Sequence, residues 1–152
     1  MMSPPYGRAT ALSVVALLAV AVAVAPPAAA DVTDALRSAV LAARGAGCPP
    51  LHVNPVVDQA AEAINATTDA WLNHASRAVP ETDALPVLHD LGYGGTKATI
   101  LSGAANQTAN SIKAVLLQGF TKIPDCSYTD LGVSALYNAQ KDMILTTVVL
   151  AA

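Results

Sequence analysis

Basic side chains are few in this sequence. Eight Lys and Arg stand against 11 Asp and Glu in 152 residues. No positive stripe is available to neutralise phosphates, so neither nucleic acid nor an anionic lipid surface is an expected partner. Cysteine is rarer still, with two residues and no CxxC pair, which makes a structural zinc site the weaker reading of Cys48 and Cys126. The three histidines, His52, His74 and His89, are separated by 22 and 15 residues, spacings without a metal-binding signature. Ser76, Ser102, Ser111, Ser127 and Ser134 lack a GxSxG elbow, and no Ser-His-Asp order is marked by its context. Gly92-Tyr93-Gly94-Gly95 lacks the Gly-Lys-Ser/Thr of a phosphate loop and reads as a turn. No cofactor or resident metal is expected.

What is present begins with a leader. Arg8 precedes an apolar run from Ala11 to Val24, interrupted by Ser13 and followed by Pro26-Pro27-Ala28-Ala29-Ala30. At about 14 residues the run is short for a bilayer span, and the alanines suit signal peptidase. Residues 1–30 are therefore expected to be a signal peptide cleaved after Ala30, leaving residues 31–152 as one domain without a transmembrane span. An uncleaved anchor is the alternative. Two cysteines in an exported chain predict a Cys48–Cys126 disulfide. Closing a loop of about 79 residues would stabilise the fold by roughly 4 kcal/mol on the loop-entropy account.

Leu36, Val40, Leu41 and Ala43 share a face of a helix expected from Thr33 to Gly45, with Arg37 and Arg44 elsewhere. Gly47 to Leu51 reads as an extended connector because of Pro49 and Pro50. Asn54-Pro55 starts an amphipathic helix of about five turns, since Asn can cap and Pro at the first position gives up no needed donor. Its apolar face carries Val57, Ala60, Ala61, Ile64, Thr68 and Trp71, with Trp71 as the expected core anchor. A short helix capped by Thr82 or Asp83 should run through Val87, Leu88 and Leu91 and stop at Gly92. Thr99-Ile100-Leu101 is an expected strand, and 106–118 an expected helix. After a loop over 120–129, Leu131–Tyr137 and Met143–Leu150 read as an antiparallel hairpin. Consecutive Val148, Val149 and Leu150 imply burial on both faces, hence a central strand between helical layers.

The order of these pieces resembles a small bacterial member of the CAP superfamily, the secreted cysteine-rich, antigen 5 and pathogenesis-related 1 group. The resemblance rests on Gly47-Cys48-Pro49-Pro50-Leu51, the Asn54-Pro55 helix with Ala60-Ala61, and Asn73-His74 after it. Leu88-His89-Asp90-Leu91-Gly92-Tyr93 and Asp130-Leu131-Gly132-Val133 continue it. It implies an α+β fold, a three-layer α-β-α sandwich with a small, mainly antiparallel sheet. It also implies a central cavity that, in many members, holds a divalent cation on two histidines and acidic residues. Here His74 alone matches, either as a ligand-binding residue of that cavity or as a structural residue hydrogen-bonded at the helix end. Ala98-Thr99-Ile100 stands where Glu-Asn-Ile is expected, and Leu117-Gln118-Gly119 where Pro-Gly-His is expected.

This pattern implies a degenerate cavity and a secreted or envelope-attached, non-enzymatic binding domain for a lipid, another apolar ligand or a cell-surface protein. Two rival readings are a residual metal-dependent hydrolase, with Asp130 or Glu81 assisting His74, and a ligand-free structural envelope protein. A lone histidine supplies neither the about three ligands of a catalytic zinc nor an acid/base pair.

Overall fold

The computed structural model describes residues 28–152. The expected leader lies outside them except for Ala28–Ala30, and Ala29 and Ala30 form the first turn of helix α1 (Ala29–Arg44). This start is earlier than Thr33. The Thr33 hydroxyl donates to the Ala29 carbonyl at 2.9 Å, so Thr33 bonds back along the helix instead of capping it. The buried stripe of α1 is Val32, Leu36, Val40 and Arg44, at four-residue spacing. Leu41 and Ala43, expected on that face, are exposed.

The chain continues through β1 (His52–Val53), α2 (Pro55–Leu72), α3 (Ala84–Asp90), β2 (Ala98–Ala105), α4 (Thr108–Gln118), β3 (Asp130–Asn138) and β4 (Met143–Ala151). The strands form one sheet in the order β1-β3-β4-β2. β1 is parallel to β3, and the other pairings are antiparallel. Helices α1 and α4 cover one face, while α2 and α3 cover the other. The α-β-α sandwich with a mainly antiparallel sheet is therefore present.

β4 is central and buried on both sides, as its apolar run implies. Val148 and Leu150 enter the α1/α4 core with Leu36, Val40 and Val115. Val149 and Ala151 enter the α2/α3 core with Val57, Ala61 and Leu88. The Asn54 side chain accepts from Val56 N–H at 3.0 Å and caps α2, with Pro55 at the first position. Trp71 does not anchor the core: it is 45% exposed, because the buried stripe at this end passes through Asn65 and Thr68 toward half-buried Leu72.

Three fastenings close the fold. Cys48 and Cys126 form a disulfide with Cα atoms 5.2 Å apart. Beside it, buried Arg44 donates to the carbonyls of Pro49, Ile123, Asp125 and Tyr128. At the β3 edge, the Arg37 guanidinium contacts both carboxylate oxygens of Asp58 at 3.2 Å. Asp58 also accepts from Val133 N–H at 2.8 Å. An ion pair thus joins the two helical layers around the edge of the sheet.

Candidate functional site

The α2/α3 layer covers the sheet unevenly. α3 has seven residues and packs, through Ala84 and Leu88, near Ala98 and Ile100 at the start of β2. α2 lies over β3 and β4. Among the described residues no helix covers the far end of the β2–β4 face, and a groove of about 390 Å³ forms there. Asn65, Thr68 and Leu72 from the last turns of α2 make one wall, and Ser102, Leu145 and Thr147 make the floor.

No side chain lining this groove titrates. Asn65 is buried, and its amide already donates to Ser134 Oγ at 3.2 Å and to the Leu145 carbonyl at 3.1 Å. What remains is an apolar trough with a few hydroxyls. Such a surface can bury hydrocarbon, and no titratable side chain in its lining stands beside the hydroxyls as a general base or offers a charged ligand. A smaller cavity of about 260 Å³ lies at the start of α1, against Tyr137 and Asp142.

His74 is not among the groove residues. It is exposed and follows α2 in the left-handed region, at φ 55°, and its backbone N–H donates to the Trp71 carbonyl at 3.0 Å. Asp130, expected as an acidic partner, begins β3. The last residue of that strand, Asn138, donates to Asn73 Oδ1 at 2.9 Å, beside His74. Eight residue steps at about 3.4 Å place Asp130 roughly 27 Å from that end, so the His74–Asp130 pairing is corrected by geometry. Glu81 is exposed, and its backbone N–H is held by Thr67 Oγ1. Among the described residues no group of three or more His, Cys, Asp or Glu could hold a metal ion.

Asp130 instead meets a different histidine. Because β1 pairs parallel with β3, His52 lies opposite Asp130, and its Nδ1 is 3.1 Å from Asp130 Oδ1. The Tyr93 hydroxyl donates to the other oxygen, Oδ2, at 2.6 Å. His52 is 73% exposed, so its free ring nitrogen is open to solvent. The three residues are far apart in sequence, and no local pattern announces their meeting. His89, at the end of α3, spends Nε2 on the Gly95 carbonyl at 2.8 Å.

Burial first, and the hydrogen bond to Asp130 second, push the Tyr93 hydroxyl above its ordinary pKa of 10.0. The folded protein therefore holds a proton that the unfolded chain releases once pH passes that value. Stability contributed by this group is complete below 10.0 and falls as pH rises toward the folded value. Tyr93→Phe is expected to lower the urea midpoint by about 1 kcal/mol equivalent near neutrality, through loss of the hydrogen bond. It should also give a shallower alkaline decline than wild type. Tyr137, raised by its bond to Asp142, retains a share of that decline in both proteins. Urea midpoints on either side of 10.0 check this; identical slopes would refute it.

No known family pattern matches this chain, and no curated protein does. Among solved structures the chain is similar to an outer surface protein from Borrelia burgdorferi, at 10% identity and a TM-score of 0.64. That match covers 80% of this chain and 92% of the other, and what the two share is the fold.

Proposed function

We infer that this chain is a non-enzymatic, CAP-like binding domain of the cell surface or envelope, and that its groove takes an apolar ligand such as an acyl chain. The observation that carries the reading is the groove itself. About 390 Å³ lie between α2 and the β2–β4 face with no titratable side chain in the lining, so hydrocarbon can be buried there without desolvating a charge. An intramolecular disulfide supports an oxidising compartment. The similar fold of an outer surface protein is consistent with the same location. The residues behind the CAP resemblance also keep structural roles: Asn54 caps α2, and Gly92 supplies the positive φ that follows α3.

The test is uptake of a fluorescent fatty acid by the purified protein, read by emission and by native mass spectrometry. Thr68→Trp, on the helical wall of the groove, should fill it and weaken uptake at least about tenfold. Undiminished uptake by Thr68→Trp would move the ligand elsewhere, and no uptake by wild type would remove the apolar-ligand reading.

A further inference from the structure

The floor of the groove carries a row of hydroxyls. Through the register of the sheet, Thr147 on β4 lies opposite Ser102 on β2 and opposite Ser134 on β3. Residues opposite one another in a sheet point to the same face, with Cβ atoms about 4.5–5.5 Å apart. That face is the one under α2, because Val149, two residues beyond Thr147, packs in the α2/α3 core. The neighbouring rows on it are apolar: Ile100 and Val149 on one side, Ala104 and Leu145 on the other.

The row ends at Asn65, which is 1% exposed and keeps an unused acceptor. Its Nδ2 donates to Ser134 Oγ at 3.2 Å and to the Leu145 carbonyl at 3.1 Å. A carbonyl only accepts, so that bond fixes which branch of the amide is nitrogen and turns Oδ1 away from Leu145. Among the described residues, neither Asn65 Oδ1 nor Thr147 Oγ1 has a hydrogen-bond partner, yet Arg37 Nε is the only unpartnered side-chain nitrogen or oxygen that is sealed from solvent. Both residues line the groove, so the groove is where the two unused oxygens open.

We propose that the ligand is a neutral lipid alcohol, such as a long-chain alkanol or a monoacylglycerol, whose hydroxyl donates to Asn65 Oδ1 and accepts from Thr147 Oγ1. This deepens the apolar-ligand reading and rests on it. Asn65 Oδ1 can only accept, and so calls for a donor. A hydroxyl supplies one, and its lone pairs take the Thr147 proton in return. An ionised fatty acid has no proton to give Asn65 Oδ1, and no Lys, Arg or His in the lining offsets the lost hydration of its carboxylate. It enters by its chain alone, more weakly than the alcohol.

The rest of the lining gives the ligand a direction. Asn65 meets Ser134, and Asn73 meets Asn138, so α2 runs with β3 and against β4. Leu72 on α2 and Met143 on β4 therefore lie toward the same end of the groove, about 10 Å from Asn65 and about 14 Å from Thr147. Ala104 and Leu145 lie between. The lining thus passes from hydrogen-bonding groups at one end to hydrocarbon at the other, which suits one hydroxyl on one chain.

The test is displacement of Nile red from the purified protein by 1-decanol, 1-chlorodecane and decanoate at about pH 8, where the acid is ionised. Decanol should bind at least about tenfold more tightly than either of the others. Thr147→Val keeps the branched shape and removes the hydroxyl. It should lower the affinity for decanol about fivefold and leave that for chlorodecane within about twofold. Asn65→Leu should abolish the preference for the alcohol; if it fails to fold, Thr147→Val decides. Chlorodecane or decanoate binding as tightly as decanol, or a preference that Thr147→Val leaves intact, overturns the alcohol assignment while the groove reading stands. No binding of any of the three overturns both.

Discussion

Gly132→Val is expected to cost about 5 kcal/mol or more, enough to consume much of the 5–15 kcal/mol that holds a typical domain together. A Cβ at position 132 would lie 2.1 Å from the Val57 carbonyl carbon and 2.4 Å from the Asp58 nitrogen. Both are backbone atoms in the first turns of α2, so no rotamer change relieves the overlap. Gly132 does not have a positive φ; glycine is required here for space alone. Relief means lifting α2 from β3, which opens the core of Val57, Ala60, Ala61 and Ile64 and strains the 2.8 Å bond from Val133 N–H to Asp58. Gly132→Ala should fall between, at about 3 kcal/mol. Urea unfolding of the three proteins checks the gradation, and a Gly132→Val protein within about 1 kcal/mol of wild type would refute the close approach.

Gly132 also marks the division between what the sequence makes legible and what it conceals. Its place in Asp130-Leu131-Gly132-Val133 was readable as part of a strand; the reason for glycine, a helix backbone 75 residues earlier in the chain, was not. Local chemistry reads well. Asn54-Pro55 begins α2 because cap and first turn are neighbours in sequence, and the doubly apolar run at Val148–Leu150 marks the central strand because its burial is written in consecutive residues.

Long-range geometry reads poorly. Trp71 satisfies helical spacing but faces outward at the end of α2, where the buried stripe has drifted to Leu72. Gly103 looks like the end of a strand after Leu101. β2 nevertheless continues to Ala105, and Gly103 is needed because a Cβ there would lie 2.2 Å from the Ser111 carbonyl oxygen. The groove depends on how far the short α3 reaches across the sheet, and the His52–Asp130 contact depends on a parallel pairing. Neither has a periodicity. The single histidine marked by resemblance, His74, lies outside the groove lining.

Arg44 shows the same concealment with a large energetic consequence. As a charged residue in the last turn of α1 it reads as solvated, yet it is 4% exposed and completes the stripe of Val32, Leu36 and Val40. Its guanidinium donates at 2.7 Å to Ile123, 2.8 Å to Asp125 and 2.7 Å to Tyr128, with a longer bond of 3.3 Å from Nε to Pro49. All four acceptors are backbone carbonyls, three of them in the irregular segment between α4 and β3. No ion pair involves Arg44 among the described residues. The charge is balanced by carbonyl dipoles, and the loop carbonyls are satisfied by a planar fork that matches their spread.

Arg44→Ala therefore removes a packed side chain and strands several acceptors at once, and should cost about 3–5 kcal/mol. Arg44→Lys keeps the charge without the fork and should recover less than half of that loss, since one ammonium cannot reach carbonyls arrayed around a guanidinium. The neighbouring Cys48–Cys126 bond acts on a different state: it restricts the unfolded chain across a separation of 78 residues, whereas Arg44 stabilises the folded loop. Losses from Arg44→Ala and from replacing both cysteines by Ser should then add to within about 0.5 kcal/mol despite their proximity. Urea unfolding of the single, double and triple variants tests this. A cost below about 1 kcal/mol for Arg44→Ala would mean that water satisfies the loop carbonyls equally well.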